Sequence, residues 1–424
     1  MSTIAFHTLG CKVNQYDTEA MRESFERAGW TAVDFEAEAN AYLINTCTVT
    51  GTGDQKSRKL IRRVAREHPD SAIIVAGCLA QREAEALLKM DNVALVIGVQ
   101  RRAEVVELLQ RALREGPVNA VSPLKGASFE HLFVTRHEGK TRATMKIQEG
   151  CDRYCAYCII PTVRGPVRSM PLEDVRAEAG RLAAAGYPEI VVTGIHLASY
   201  GRGTENTLLD AVRAVAEAAL RVRLGSLEPI VVTEAFARGI AGLGPVMPQF
   251  HLSMQSGSAG VLKRMRRRYT PEQYMEAVER LRRYMPGCAI TTDVLTGFPG
   301  ETEQEAQETL DFVRAVGFAR IHVFPYSRRK GTAADEMPNQ VPEAVKRERT
   351  AKLLLLGNQL EEKYVSELVG TRQDVLFETA TGPAEAEGYT GQYVRVRAKA
   401  RPGQIRGVNI LRCEGTLAYG EAVD

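Results

Sequence analysis

The sequence predicts an α/β protein in three parts: an open parallel sheet covered by helices, a set of βα units closing towards a barrel, and a small antiparallel barrel. Three observations carry this expectation. Over residues 1–114 apolar runs of strand length alternate with helical stretches, the mark of a parallel sheet with both faces covered. From residue 142 strand–helix units recur, and repeated right-handed βα units close on themselves. Beyond Gly370 the pattern turns to short strands with tight turns such as Thr381-Gly382-Pro383 and Pro402-Gly403. The 424 residues suffice for two or three domains, and 44% hydrophobic with 25% charged residues is ordinary for a globular chain. No basic region followed by an apolar stretch opens the chain, and no apolar run nears the ~18 residues of a membrane span. A cytoplasmic protein is therefore expected, where clustered thiols indicate metal or catalysis rather than disulfides. A net charge of only +3 leaves any nucleic-acid role to local patches.

In the first part, residues 3–9, 41–46, 72–77 and 94–98 read as strands, and 14–28, 54–67, 81–89 and 102–113 as helices. Cys11, Cys47 and Cys78 each follow one of the first three strands, 36 and 31 residues apart. Loops at the carboxyl ends of parallel strands gather along one edge, where ligands bind. One such thiol would read as an independent buried cysteine. Three at equivalent strand ends predict a shared metal cluster. Residues 115–130, rich in Gly, Pro and Ser, read as a linker. Segments 131–137 and 142–148 flank Glu138-Gly139-Lys140-Thr141 and predict a hairpin.

The second arm of that hairpin leads into Cys151, Cys155 and Cys158, spaced C-x3-C-x2-C. A segment this short cannot bury three side chains in a core, but it can wrap them around one inorganic cluster. Zinc would want a fourth Cys or His close by, and none follows Cys158 at short range; disulfides would need an oxidising compartment. An iron–sulfur cluster is the favoured reading, and a four-iron cubane on three cysteines keeps one iron open for a ligand.

Five further strands are expected at 189–193, 222–227, 249–253, 288–295 and 320–324. Pro171 with Glu173 and Asp174 starts a helix that Gly186 and Pro188 end. Functional residues of such barrels sit at carboxyl strand ends. The candidates are Thr193, Gly194, Glu228, Ser253, Gln255 and the loop Gly297-Phe298-Pro299-Gly300-Glu301. In that loop Gly297 and Gly300 would let backbone approach a ligand, and Thr302 with Glu305 forms a capping box. His196, His251 and His322 also lie near strand ends, where bonding to backbone is the expected role. Cys288 and Cys413 are expected to be buried free thiols. After a helix at 342–368, residues 393–401 alternate strictly. Val394, Val396, Ala398 and Ala400 fall on one face, and Arg395, Arg397, Lys399 and Arg401 on the other. No acid occurs between Tyr389 and Cys413, so the basic face suits RNA phosphate. Lys56, Arg58, Lys59, Arg62, Arg63 and Arg66, and the tract 263–268, could extend an RNA track.

The C-x3-C-x2-C motif, with Tyr157 before its last cysteine, resembles the radical S-adenosylmethionine enzymes. Thr8-Leu9-Gly10-Cys11-Lys12-Val13-Asn14-Gln15-Tyr16, Asn45-Thr46-Cys47-Thr48-Val49-Thr50 and Gly77-Cys78 resemble the amino-terminal domain of the methylthiotransferases within them. The resemblance spans essentially the whole chain, and the tail looks like the RNA-binding module called TRAM. It implies a methylthiotransferase domain at 1–125, a partial (β/α)6 radical S-adenosylmethionine barrel at 131–368 and the tail module at 370–424. It also implies two [4Fe-4S] clusters, on Cys151, Cys155 and Cys158 and on Cys11, Cys47 and Cys78. The first cluster would chelate S-adenosylmethionine and split off a 5′-deoxyadenosyl radical. The 297–301 loop would take the adenine end of the cofactor, and Glu228 and Gln255-Ser256 its polar groups; Tyr157, Thr193, Gly194, Ser253, Gly297 and Pro299 join the binding set. The residues around Cys11, Cys47 and His196 most resemble the branch that modifies N6-threonylcarbamoyladenosine in tRNA. A flavodoxin- or ferredoxin-like electron donor, a sulfur source and a monomer complete the expectation. The alternatives are a relative acting on isopentenyladenosine tRNA or a ribosomal protein. From another class comes an iron–sulfur RNA-binding or electron-transfer protein without radical chemistry, against which the 297–301 loop speaks.

Overall fold

The computed structural model describes residues 2–423. The first sheet contains β1 (Thr3–Thr8), β2 (Thr31–Val33), β3 (Ala41–Thr46), β4 (Ala72–Gly77), β5 (Val93–Ile97) and β6 (Val118–Asn119), all parallel, in the order β2-β1-β3-β4-β5-β6. Helices α1 (Lys12–Arg27), α2 (Gly51–Glu67), α3 (Cys78–Leu88) and α4 (Val105–Glu115) cover it. The two-residue period of a strand divides the apolar side chains between two cores. Leu43, Ile74 and Leu95 pack with Met21, Phe25 and Leu109 on one face, and Tyr42, Ile44 and Val75 pack with Ile61, Val64 and Leu79 on the other. The strand order reverses direction between β1 and β3, the switch point at which such sheets open a crevice. The loops carrying Cys11 and Cys47 leave from these two strands. The edge strands β2 and β6 were not expected; three and two residues are too few to show a period.

The expected hairpin is not formed. Gly139 makes the turn with φ +63°, and the Lys140 amide donates to the His137 carbonyl at 3.2 Å. Residues 131–137, however, pair with no strand among the described residues. Leu132 and Val134 are buried against Tyr16 and Ala20 of α1 instead. The amides of Thr135 and Arg136 donate to the Glu23 carboxylate at 2.6 and 2.9 Å, which satisfies backbone a strand would otherwise serve.

The central part holds β7 (Arg142–Glu149), β8 (Arg168–Ser169), β9 (Glu189–Gly194), β10 (Arg221–Leu224), β11 (Gln249–His251), β12 (Ala289–Thr296) and β13 (Arg320–Pro325). Its helices are α5 (Ile160–Arg164), α6 (Leu172–Ala184), α7 (Leu208–Ala216), α8 (Glu234–Ala241), α9 (Ala259–Arg264), α10 (Pro271–Tyr284), α11 (Glu303–Val316) and α12 (Glu343–Ser366). Two sheets, β10-β9-β7-β8 and β11-β12-β13, are joined where Leu227 donates to His251 at 2.8 Å and Ser253 to Leu227 at 2.9 Å. The six parallel strands form an arc, because among the described residues β13 pairs only with β12. Their outward residues, such as Ile190, Val192, Phe250 and Ile290, pack under the helices. The alternate positions carry Lys146, Gln148, Glu189, Arg221, Arg223, Gln249 and Thr291, all buried and polar. The hollow of the arc is therefore charged rather than filled with apolar side chains.

The tail forms a closed barrel, β14 (Arg372–Ala380), β15 (Glu385–Tyr389), β16 (Arg395–Lys399), β17 (Ile405–Glu414) and β18 (Leu417–Val423), in the order β14-β15-β16-β18-β17. All its pairings are antiparallel except β16 with β18. Val394, Val396 and Ala398 face inwards against Phe377 and Val408, as the alternation predicts. Residues 389–393 sit beneath the starts of the arc's strands. There Arg221 and Arg223 donate to the Thr390 carbonyl at 3.2 and 3.3 Å, and Arg142 to the Tyr393 hydroxyl at 3.1 Å.

Candidate active site

The loop that follows β7 is shaped by its backbone. Gly150 has φ +74°, and a Cβ there would stand 1.8 Å from the Pro166 carbonyl oxygen, so only glycine turns the chain into Cys151. The Cys151 amide donates to Gly165 at 3.0 Å, and Ala156 is held by Met265 and Ala334 at 3.0 and 2.7 Å. Cys151, Cys155 and Cys158 are electrostatic neighbours. Burial pushes the thiols of Cys151 and Cys158 up to about 11 and about 12. Coordination to a metal removes such protons outright. Arg267 donates to the Cys155 sulfur at 3.3 Å.

Beside this loop Glu228 is buried among Arg153 at 2.9 Å, His196 Nε2 at 3.0 Å and Arg267 at 3.2 Å. Burial alone would raise its pKa. The hydrogen bond with His196 and the charges of Arg267 and Arg153 outweigh that and hold the carboxyl at about 2. Tyr157 meets Phe298 edge-on at 6.4 Å, which sets the 297–301 loop against the cysteine loop.

On the first sheet, Cys11, Cys47 and Cys78 also come together. A Cβ on Gly10 would lie 3.1 Å from the Cys47 sulfur, and one on Gly77 2.3 Å from Asn45 Oδ1, so both glycines permit the approach. Asn14 ties the two loops by donating to the carbonyls of Leu9 and Thr46 at 2.8 and 3.0 Å. Burial raises Cys78 to about 11, partly offset by Arg164, whose Nε donates to its sulfur at 3.1 Å. All eight cysteines are free thiols. Among the described residues no three His, Cys, Asp or Glu side chains close on a point fit for one metal ion. A four-iron cluster, several atoms across, spreads its thiolates wider than one ion does. Two sets of three soft sulfur donors, each without a fourth ligand, fit such a cluster with an open iron.

A buried charge network joins the two sets. Asp17 of α1 meets Lys146 at 2.5 Å, Arg164 at 3.2 Å and Arg102; Glu149, two residues before Cys151, meets Arg164 at 3.0 Å; and Arg102 meets Glu130 at 2.9 Å. Arg329 of the central part reaches Asp54 at 2.7 Å and also bonds Thr48, next to Cys47. The sequence reading missed Arg153, Arg164, Arg267, Arg329 and Asp17. Only Arg153, inside the cysteine motif, and Arg267, inside a basic tract, carried any signal.

The other expected residues sort unevenly. Thr193 is buried, and a Cβ on Gly194 would press to 2.8 Å on Gln148. Ser253 offers its carbonyl to Tyr269 and Arg267 at 2.5 and 3.3 Å. Gln255 takes φ +68° while its backbone pairs with Asp293 and Leu295. A Cβ on Gly297 would meet the Lys346 side chain of α12 at 2.4 Å, so this glycine admits a helix. Pro299 is buried in the same loop. His196 and His251 bond side chains rather than backbone, His196 to Glu228 and to Ser199 at 2.5 Å, His251 to Asp293 at 3.3 Å and Thr291 at 3.1 Å. Cys288 is buried, whereas Cys413 is partly exposed.

The basic face of β16 is exposed at Arg395, Lys399 and Arg401. Its neighbour β15 places Glu387 opposite Arg397 and Glu385 opposite Lys399, and Arg397 is bonded to Glu387 at 2.5 Å. The face thus mixes signs across strands although it does not along one. Within the tract 263–268, Arg264 pairs with Glu305 at 2.7 Å and Arg267 turns into the site, leaving Lys263, Arg266 and Arg268 exposed.

Residues 3–98 match the family model described as Uncharacterized protein family UPF0004, and residues 145–313 match the Radical SAM superfamily. Among known proteins, a "Threonylcarbamoyladenosine tRNA methylthiotransferase MtaB" of Bacillus subtilis strain 168 is 42% identical, covering 100% of this chain and 97% of its own. The protein of that name from Thermotoga maritima is 34% identical over 99% of this chain and 97% of its own. A tRNA-2-methylthio-N(6)-dimethylallyladenosine synthase of Bacillus licheniformis is 34% identical over 98% of this chain and 85% of its own. The solved structure of the radical S-adenosylmethionine methyltransferase TsrM from Kitasatospora setae aligns with a TM-score of 0.57 at 16% identity, over 91% of this chain and 80% of that one, a likeness of fold.

Proposed function

The chain belongs to the methylthiotransferase family of radical S-adenosylmethionine enzymes, and we propose that it acts on tRNA, converting N6-threonylcarbamoyladenosine beside the anticodon to its 2-methylthio derivative. The observation that carries this reading is the 42% identity with the Bacillus subtilis enzyme along the whole length. The gathered cysteines support it. In this reading Cys151, Cys155 and Cys158 would hold one [4Fe-4S] cluster, the one that serves S-adenosylmethionine, and Cys11, Cys47 and Cys78 would hold a second. When bound, these groups supply an electron, a carbon-centred radical and sulfur. The chain's own residues do the rest. Glu228, kept ionised by its three partners, presents a fixed acceptor to the cofactor's polar groups. Arg267 sets a positive charge beside the Cys155 sulfur, and Arg164 does the same at Cys78. A substrate held between residues 1–125 and 131–368, near both cysteine sets, would be shielded from water there. The module at 370–424 would hold RNA. A reduced flavodoxin- or ferredoxin-like donor and a sulfur source would serve the reaction in the cytoplasm.

The test is nucleoside analysis of tRNA from cells with and without the gene. The 2-methylthio derivative of threonylcarbamoyladenosine should vanish on deletion and return with the intact gene but not with Cys151→Ala. Loss of a different methylthio nucleoside would move the chain to the dimethylallyladenosine branch. No change in any of them would end the tRNA reading.

A further inference from the structure

A cavity of about 400 Å³ opens where the three parts of the chain meet, between α1, the inner face of β7 and β9, and the tail barrel. Its wall includes Lys12, Gln15 and Glu19 of α1, Lys140 and Arg142 before and on β7, and Glu378 on β14. Most of these charges are already matched. Arg142 bonds Glu378 at 2.8 Å, and Glu19 lies 3.5 Å from Arg22. Lys12 and Lys140 are different. Among the described residues neither side chain has a hydrogen bond or an ion pair, and both are exposed. The charged neighbours of Lys12 across the hollow are Arg142, Arg223 and Glu189, so the cavity presents it to other cations more than to anions. A lysine that lines a cavity without an ion-pair partner is free to take an anionic ligand.

We propose that Lys12 and Lys140 form the subsite that binds the carboxylate of the threonylcarbamoyl substituent, and so select this nucleoside over adenosines with apolar substituents. The inference rests on the function proposed above and names the residues that read its substrate. Three observations favour a carboxylate of that kind over RNA phosphate. First, the wall mixes its two lysines with acceptors, Glu19 and Glu378 among them. Those carboxylates would repel a phosphodiester, which has no proton to donate, but they suit the hydroxyl and carbamoyl N–H groups of the substituent. Second, the volume lies at the lower end of the range for small-ligand pockets. Third, Lys12 directly follows Cys11, so a substituent anchored there brings its base beside the Cys11, Cys47 and Cys78 set. An apolar substituent would leave both lysines unpaired, and sites built on polar contacts discriminate strongly against such analogues.

The test is equilibrium binding of the full chain, without cofactors, to three anticodon stem-loop RNAs that differ at one adenosine. One carries the threonylcarbamoyl group, one its carboxyl methyl ester and one no substituent. The intact chain should prefer the free carboxylate by about tenfold or more, the size of one charge-assisted contact. Lys12→Gln should bring that preference close to unity, and Lys12→Arg should keep most of it. Because the Lys12 side chain has no partner within the protein, both variants should melt with the wild type. Retention of the full preference by Lys12→Gln would overturn the inference, and so would an equal loss on all three RNAs, which would mark a phosphate contact. If wild type shows no preference and the cellular methylthio nucleoside is independent of the gene, the proposed function itself falls. A gene-dependent product with a preference indifferent to Lys12 overturns the subsite alone.

Discussion

His137 shows how one position couples sequence to environment. It is 5% exposed, its Nε2 accepts the Thr144 amide at 3.2 Å, and it lies edge-on to Tyr187. Burial, aided by the Lys140 charge, lowers its pKa from 6.5 to about 4, so the folded chain keeps the imidazole neutral. The unfolded chain takes up the proton first. The stability this residue contributes is therefore complete above pH 6.5 and drains away as pH falls towards 4. Denaturant titrations of wild type and His137→Gln should show a stability gap that narrows by roughly 3 kcal/mol between pH 7 and pH 4. A gap constant with pH would mean that His137 does not titrate in this way. Cys151, Cys155 and Cys158 were legible at this scale because eight residues of contiguous sequence fix their proximity. Glu228 was legible as a strand end and through the family resemblance, but its surroundings were not. Its partners Arg153, His196 and Arg267 come from three different loops, and no local spacing records that.

At the scale of the element, β16 was read correctly as a strand and incompletely as a surface. Alternation along one strand follows from the pleat. The strand that lies beside it follows from topology, and β15 brings Glu385 and Glu387 to the basic face. The four cations should therefore differ in their effect on RNA. Arg395→Ala and Lys399→Ala should each weaken tRNA binding and reduce the slope of log affinity against log salt by about 0.9, one phosphate contact each. Arg397→Ala should change that slope by less than half as much, because its guanidinium is hydrogen-bonded to Glu387 at 2.5 Å whereas Arg395 stands 3.8 Å from the same carboxylate. Equal slopes for all three variants would show that the ion pair opens on binding RNA. The failed hairpin has the same cause. Residues 131–137 had an apolar pattern fit for a strand, but the face of α1 offered Leu132 and Val134 a better partner than β7 did.

For the whole molecule, the decisive feature is the buried network between the first sheet and the arc. Its cations Arg102, Lys146 and Arg164 answer Asp17, Glu149 and Glu130. Removing one member leaves an uncompensated buried charge, which costs about 3–5 kcal/mol. Arg164→Met should lower unfolding stability by that amount in urea titration, and a loss below about 1 kcal/mol would show that water reaches the junction. Arg164→Lys should fall between, since an ammonium cannot reproduce the fork that touches Asp17, Glu149 and Cys78 together.

The sequence by itself determined the three-part α/β order, the strands and helices with long periods, and the two cysteine sets. Each of those is written in contiguous spacing or in a rule that places loops at one edge of a parallel sheet. Tertiary structure alone decided that the arc's inner face is charged, that Gly297 makes room for Lys346, and that residues 389–393 stand beneath the strands of the arc. It also decided that Arg164 links Glu149 to Cys78 and that Lys12 lines a cavity without an ion-pair partner. These are contacts between segments tens to hundreds of residues apart. A local pattern reports which side of an element is apolar, whereas charge pairing depends on what the other elements bring to meet it.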